Sequence, residues 1–333
     1  MRAGRSVREL TQSHTNALHE SPWPSKTAKK ITFSEVAAGY LSEHRATWRG
    51  VRHIEQWVQS LAYLKPLIGG VPVADVDVPM VLGVLRPIWF GKPVAAARLR
   101  NRVELILDYA AAHGHRTGEN PARWSILGKA LPRPTKVRAV QPHAALDYQE
   151  APGFIAALRY QAGMAARALE FVILVAARKG EVLGMRWGEV DFAGKVWTVP
   201  GERMKGGKAH RVALSSVAIA LLARLPRNRD HVFPGGRNSQ LSHEAMNAVL
   251  ARMGKHFTVH GMRACFATWG REETTAQREV IEQALAHAVG DATERAYARG
   301  DALEKRRALM EQWAQYLEHG PMSAEIVPML VRA

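Results

Sequence analysis

Apolar positions show no period over the first 30 residues and then recur at helical spacing. Residues 1–30 are polar and carry six Lys/Arg against two Glu, the pattern of a flexible basic extension. Order begins at Ile31, where Thr32 and Glu35 stand at capping-box spacing ahead of Val36, Ala37, Tyr40 and Leu41. A second helix is predicted from about Trp48, with the stripe Val51, Ile54, Trp57, Val58 and Leu61, ended by Pro66 before Gly69-Gly70. Asp77 with Pro79 announces a short third helix through Val81, Leu82 and Leu85 to Pro87. The fourth runs from Val94 to about His113, with Ala97, Val103, Ile106, Leu107 and Ala110 on one face and Arg98, Arg100 and Arg102 crowding its first half. Residues 31–130 therefore predict a small all-helical domain with one basic side.

Residues 131–142 combine proline and basic residues, Lys136 and Arg138 among them, without periodicity, and mark a basic linker. A solvated tether and a clamp closed around a duplex, with the linker lying on phosphates, both suit that charge. Helical patterns at 146–158 and 163–176 open the segment 143–320. Lys195–Pro200 and His210–Leu214 read as two strands, with Gly206-Gly207 as a two-residue hairpin turn between them. Helices are predicted again at 215–224, 243–253, 260–269, 278–287 and 301–318, followed by the stop Gly320-Pro321 and a short apolar tail at 321–333. The expected fold class is mainly α with a small antiparallel β-sheet: an all-helical domain followed by a mixed, mostly helical one.

Charge narrows the partner. The chain has 46 Lys+Arg against 30 Asp+Glu, an excess of 16 positive charges over 333 residues, which points to a polyanion and most directly to nucleic acid. An acidic membrane surface is the weaker alternative. The longest apolar run, Phe171–Ala177, is far below the ~18–20 residues of a membrane span, and the N-terminus lacks the apolar core of a secretory signal. The expected location is the cytoplasm, at the nucleoid. Cys265 is the single cysteine, which excludes an internal disulfide and a multi-Cys zinc site and suits a small core residue.

Four local patterns could carry chemistry, and each has a plainer alternative. Arg178 follows the apolar run directly, where burial without a partner or an anion is costly, and Glu181 could orient it; a surface ion pair is the bland reading. Lys205 and Lys208 flank the double glycine, as a groove-inserting proton donor would or as solvated edge protection would. His260 and Arg263 share one face at a helix start and could bind an anion. His287 precedes Tyr297 by ten positions, and a tyrosine between alanines is as readily a half-buried core residue.

The order of these residues, Arg, Lys, His-x-x-Arg, His, Tyr over about 120 positions, resembles the tyrosine recombinase (phage integrase) family. The wording AARKGEVLGMRW, ERMKGGKAHRVAL, HGMRACFATW and IEQALAHAVGDATERAYAR is similar to integrases of satellite phages, prophages and genomic islands, as are TFSEVAAGYLSEH and NPARW earlier in the chain. The resemblance spans roughly residues 31–318. It implies a SAM-like helical core-binding domain at 31–130 and a catalytic domain at 143–320. It implies that Arg178 and Arg263 clamp a scissile phosphate and that Tyr297 attacks phosphorus, with His260 as its base. Lys205, rather than Lys208, would protonate the departing 5′-oxygen, His287 would hydrogen-bond the phosphate, and Glu181 would support the site. The implied activity is site-specific DNA recombination through a 3′-phosphotyrosine, integrating or excising a mobile element. No cofactor and no metal is expected.

The implied partners are double-stranded DNA attachment sites and three further copies of the chain, a tetramer on paired sites, with the tail after Gly320 packing onto a neighbour. An accessory DNA-bending or directionality protein is a further candidate. Arg98, Arg100, Arg102, Lys136, Arg138 and Lys208 are candidate DNA contacts. Ala286 stands where the family usually has glycine, and Ala213 where proline is common. About 30 residues before Ile31 are too few for the arm-site domain of related integrases, so the expectation is either use of core-type sites alone or a shortened form of the chain. A type IB topoisomerase, a catalytically silent DNA-binding regulator and a metal-dependent nuclease are the alternatives; no convincing carboxylate cluster favours the last.

Overall fold

A computed structural model describes residues 30–48, 51–137, 144–204, 206–236, 240–287, 290 and 300–321. The chain divides into two compact units, 1–140 and 141–333. Elements are numbered in chain order among the described residues. The extension before Lys30, Arg138 and the tail beyond residue 321 lie outside them.

The first unit is helical: α1 (Phe33–Arg45), α2 (Val51–Ile68), α3 (Val78–Trp89), α4 (Pro93–Ala112) and the single turns α5 (Trp124–Leu127) and α6 (Pro134–Val137). Thr32 caps α1 through a reciprocal box: the Glu35 N–H donates to Thr32 Oγ1, and Glu35 accepts from the Thr32 N–H at 2.8 Å. Asp77 caps α3 by accepting from the Met80 N–H. Phe33, Trp57, Leu64, Leu85, Trp89, Ile106 and Leu107 form the core.

Several details depart from expectation. Helix α2 continues through Pro66 to Ile68, and α3 through Pro87 to Trp89. Each proline sits in the last turns, where it removes one hydrogen bond, while burial of Ile68 and Trp89 favours completing the helix. Val58, expected on the apolar stripe of α2, is half exposed; the buried line is Trp57, Leu64 and Ile68. Leu131 is buried, and the Trp89 Nε1–H donates to the Pro132 carbonyl at 3.0 Å, so the start of the proline-rich stretch packs on the first unit.

The second unit contains α7 (Ala151–Arg159), α8 (Met164–Val175), α9 (Lys179–Leu183), β1 (Val190–Asp191), β2 (Val196–Val199), β3 (His210–Ala213), α10 (Ser216–Ala223), α11 (Ala245–Arg252), α12 (Gly261–Glu272), α13 (Arg278–Ala284) and α14 (Leu303–His319). Helix α8 is central. Every residue from Ala168 to Val175 is buried, because α7, α10, α11 and α14 cover it, which accounts for an apolar run without a polar face. Trp313 of α14 is fully buried against Phe266 and Trp269 and donates to the Ile173 carbonyl at 2.9 Å. The sheet is antiparallel in the order β1-β2-β3, with Val199 opposite His210 and Val196 opposite Ala213. The β2–β3 connection is not the expected two-residue turn. Residues 200–209 separate the paired strands, with a 3-10 turn at Gly201–Arg203 and Gly207 at φ 71°. Gly201 lies so close to the Gly207 carbonyl that a Cβ would meet it at 2.6 Å, which closes the neck of this loop.

Candidate active site

Helix α8 ends at Ala176, a left-handed residue (φ 49°), and the chain then turns into α9 with Arg178 at the cap position. Glu181, buried one turn on, accepts from the Arg178 backbone N–H at 3.0 Å and from its guanidinium at 2.8 Å. A second nitrogen of that guanidinium donates to the Ala286 carbonyl at 3.1 Å. Ala286 is itself left-handed (φ 51°) and lies just beyond α13. A residue with a Cβ in that conformation costs roughly 1–2 kcal/mol, so both turns are held by what surrounds them.

Arg263 enters from α12 and is buried. It donates to the Ala176 carbonyl, to the Leu285 carbonyl and to His287 Nε2, the last at 3.1 Å. The two left-handed alanines thus each present a carbonyl to one of the two arginines. Burial, and secondarily the charge of Arg178, lowers the Arg263 pKa to about 10, which leaves it a cation at neutral pH. The start of α12 is fixed by close packing: a Cβ on Gly261 would lie 2.1 Å from the Ala144 carbonyl oxygen. His260 is exposed at that helix start, and its carbonyl accepts from the Arg263 N–H at 3.1 Å.

The fold therefore brings together Arg178, Glu181, Arg263 and His287 from segments over 100 residues apart, with His260 one turn from Arg263. Lys205 and Tyr297 lie outside the described residues. Lys208 is exposed in the β2–β3 loop. Arg178, held by Glu181 and the Ala286 carbonyl, and Arg263, held by the Ala176 and Leu285 carbonyls, lie with His287 around one turn of the chain, an arrangement whose chemistry suits a tetrahedral oxyanion.

Three neighbours of the site were not singled out from sequence. Glu282 accepts from His287 Nδ1 at 2.6 Å and from Arg271 at 2.7 Å. His210 on β3 has a buried Nε2 with no hydrogen-bond partner, and burial together with the charge of Arg306 lowers its pKa to about 4. Asp301 pairs with Arg211 of β3 at 2.8 Å and with buried Arg306 at 2.9 Å. The i,i+5 spacing of Glu282 and His287 carried no helical-face signal, since His287 follows the end of α13.

In the first unit the α4 arginines separate. Arg102 is buried, donates to the Gln56 carbonyl and Ser60 Oγ, and lies 5.1 Å over the Trp57 ring. Arg100 pairs with Glu104 at 2.6 Å and donates to the Ala122 carbonyl at 2.7 Å. In both, the bonds to these partners come from one guanidinium nitrogen, Nη1. Arg98 is exposed beside a cleft of about 650 Å³ that Tyr40, Trp48 and Trp57 also line, and Lys136 is exposed on α6.

The fold is mostly helical, with a small three-stranded antiparallel sheet beside paired arginines, and it is the fold of the tyrosine recombinases. It superposes on a lambda integrase dimer bound to a COC′ core site with a TM-score of 0.62 at 16% identity, covering 89% of this chain and 86% of that one. A lambda integrase tetramer bound to a Holliday junction gives 0.62 at 16% identity, covering 88% and 90%. Residues 33–126 match the phage integrase central domain and residues 145–304 the phage integrase family. Prophage integrase IntA of Escherichia coli (strain K12) is 29% identical over 307 residues, 88% of this chain and 72% of that protein. Prophage integrase IntZ of the same strain is 30% identical over 310 residues, 88% and 75%. The chain belongs to the phage integrase family, whose members are tyrosine-type site-specific recombinases. Among the described residues, no helix is long and apolar enough to cross a membrane.

Proposed function

We propose that this chain is a site-specific DNA recombinase that cleaves and rejoins strands through a 3′-phosphotyrosine on Tyr297, integrating or excising a mobile element. The observation that carries this reading is the anchoring of both Arg178 and Arg263 to the turn at residues 285–287, which also carries His287. The two cations would take the non-bridging oxygens of the scissile phosphate and neutralise the charge that builds at phosphorus. Arg263 is held by carbonyls before substrate arrives, so little reorganisation accompanies the chemistry.

Tyr297 would attack phosphorus in line as the bond to the 5′-oxygen breaks. A free phenol ionises near ~10, so it needs a base and a cationic field. His260, exposed at the start of α12, would take that proton, and Lys205 would give one to the departing 5′-oxygen. His287 would sit beside the phosphate with Nε2 turned to Arg263, and Glu181 would hold Arg178 in register through both of its carboxylate oxygens. Attack by the 5′-hydroxyl of a partner strand reverses the step, and one phosphodiester replaces another of similar energy.

Exchange between two duplexes needs two attachment sites and four copies of the chain. The lambda integrase assemblies, a dimer on a core site and a tetramer on a Holliday junction, support that stoichiometry. The domain division follows the same reading: a core-binding domain at 31–130, a linker at 131–142, a catalytic domain at 143–320, and a tail at 321–333 that packs onto a neighbouring copy. An accessory DNA-bending protein, a nucleoid location and phosphate contacts by Arg98, Lys136, Arg138 and Lys208 belong to this proposal.

Denaturing-gel trapping on duplexes from the chromosomal sequence flanking the gene tests it, with Tyr297→Phe and a chelator as controls. A covalent band in the wild type alone, indifferent to chelator, is the expected result. A covalent band in Tyr297→Phe would remove that residue from the role, and tight binding with no band in either protein would overturn the catalytic reading.

A further inference from the structure

Four side chains beside the candidate site form a continuous chain. Arg271 and Arg263 lie on α12, Glu282 on α13 and His287 just beyond it. Arg271 donates to Glu282 Oε1 at 2.7 Å, Glu282 Oε2 meets His287 Nδ1 at 2.6 Å, and His287 Nε2 meets the Arg263 guanidinium at 3.1 Å. A guanidinium can only donate, so His287 Nε2 must accept, and the ring proton must then reside on Nδ1, where the Glu282 carboxylate receives it. The same tautomer is demanded at both ends. The hydrogen bond from His287, with a second from Arg271, lowers the Glu282 pKa despite its partial burial and keeps it an acceptor at neutral pH.

We infer that Glu282 is a positioning residue for His287, fixing its tautomer and ring orientation so that Nε2 is the nitrogen presented to the Arg178–Arg263 pair. This rests on the reading that His287 faces the scissile phosphate. An imidazole at the end of a short helix has no intrinsic preference for one ring face. Held only by Arg263, it could turn about its χ angles, whereas a carboxylate on the far nitrogen closes that freedom, as carboxylates do behind many functional histidines. The charged groups around the ring are Glu282 from α13, Arg263 from α12 with Arg271 behind Glu282, and Arg178 from the start of α9, which binds the adjacent Ala286 carbonyl with Glu181 behind it. Glu282 is the anion in direct contact with the ring among the described residues.

The direct test is long-range proton–nitrogen correlation spectroscopy of the full chain labelled with ¹⁵N-histidine, near neutral pH. The His287 signals are assigned by their loss in His287→Gln. The wild type is expected to show the neutral form protonated at Nδ1. Glu282→Gln, whose amide oxygen still accepts from Nδ1, should retain it, while Glu282→Ala should show nitrogen shifts averaged between tautomers. A wild-type ring protonated at Nε2 overturns the inference without recourse to any variant. So do wild-type shifts in a folded Glu282→Ala protein.

A second arm uses the duplex recovered by covalent trapping. Single-turnover formation of the covalent complex should slow about 10–100-fold in Glu282→Ala with DNA affinity unchanged, and Glu282→Gln should recover most of the rate. Unaltered cleavage in Glu282→Ala would remove the positioning role. If the wild type forms no covalent complex, the recombinase reading fails, and the spectra still decide the tautomer independently.

Discussion

Replacing Gly261 by alanine isolates the contact that sets the start of α12. The backbone there has an ordinary negative φ, so the substitution tests space alone. The added Cβ would lie 2.1 Å from the Ala144 oxygen and 2.9 Å from both the Ala144 carbonyl carbon and the Ala145 Cα, where ordinary contact begins at 3.4 Å. All three are backbone atoms. The Ala144 oxygen is further fixed because it accepts from the Thr258 N–H at 2.9 Å, and the Thr258 hydroxyl in turn accepts from the Gly261 N–H at 2.9 Å. Relief therefore requires the helix start to move by more than 1 Å, the shortfall of 2.1 Å against 3.4 Å. Overpacking of this kind costs about 1–3 kcal/mol, and each of the two hydrogen bonds lost adds about 1 kcal/mol. The better helix propensity of alanine returns up to about 1 kcal/mol. A net loss of about 2–4 kcal/mol is expected, which for a unit of this size is roughly 5–15 °C in Tm. Thermal and urea unfolding of Gly261→Ala would measure it against Gly153→Ala, an exposed glycine in α7 with no atom within 4 Å of where its methyl group would stand, which should gain up to about 1 kcal/mol. Because Arg263 and His260 ride on the displaced turn, cleavage should fall about 100-fold as well. Stability within about 0.5 kcal/mol of the wild type, with Gly153→Ala behaving as stated, would refute the steric account.

Three further outcomes follow from particular contacts. Ala286→Gly should raise stability by up to about 1 kcal/mol in chemical denaturation, since relief of the left-handed strain exceeds the added freedom of the unfolded chain; a loss would show that Ala286 contributes packing instead. Glu170, buried between Arg159 at 2.7 Å and Arg167 at 3.0 Å, should cost about 2–3 kcal/mol on replacement by alanine in urea titrations, less than a fully buried pair because both arginines reach solvent. A change below about 0.5 kcal/mol would contradict that. His210 folds neutral with its pKa lowered to about 4 by burial, so the unfolded chain binds the extra proton first as pH falls. Its contribution is fully present above the unfolded value of ~6.5 and is lost between there and about 4, up to about 3 kcal/mol. Stability measured from pH 7 to 4 should decline less steeply in His210→Leu than in the wild type, and parallel curves would reject the assignment.

Much of the helical framework was legible because its signals are local. The Thr32–Glu35 box, the Asp77 cap and the run Phe171–Ala177 each depend on residues within one or two turns, and the structure places a capping box, a cap and a central buried helix there. The prolines misled for the same reason. A proline reports its own missing N–H, whereas the decision to continue α2 to Ile68 and α3 to Trp89 came from core contacts far along the chain. The glycine pair suggested a tight turn, but the register of Val199 with His210 leaves ten residues between the strands.

The chemistry was legible as an ordered set of residue types and not as an environment. Arg98, Arg100 and Arg102 look equivalent in sequence, yet one is exposed, one is paired with Glu104 and one is buried over Trp57. Arg178 and Arg263 were recognisable as a pair, but the carbonyls that hold them belong to Ala286 and Ala176, 108 and 87 positions away. Glu282 gave no signal until the turn after α13 set His287 against it. By itself the sequence determined which side chains could carry charge or a proton, and which stretches would be helical, since both are properties of a residue and its near neighbours. Which arginine is anchored, what meets each ring nitrogen of His287 and how far the strands stand apart were decided by tertiary structure, because burial and hydrogen-bond partners come from segments that meet only in the folded chain.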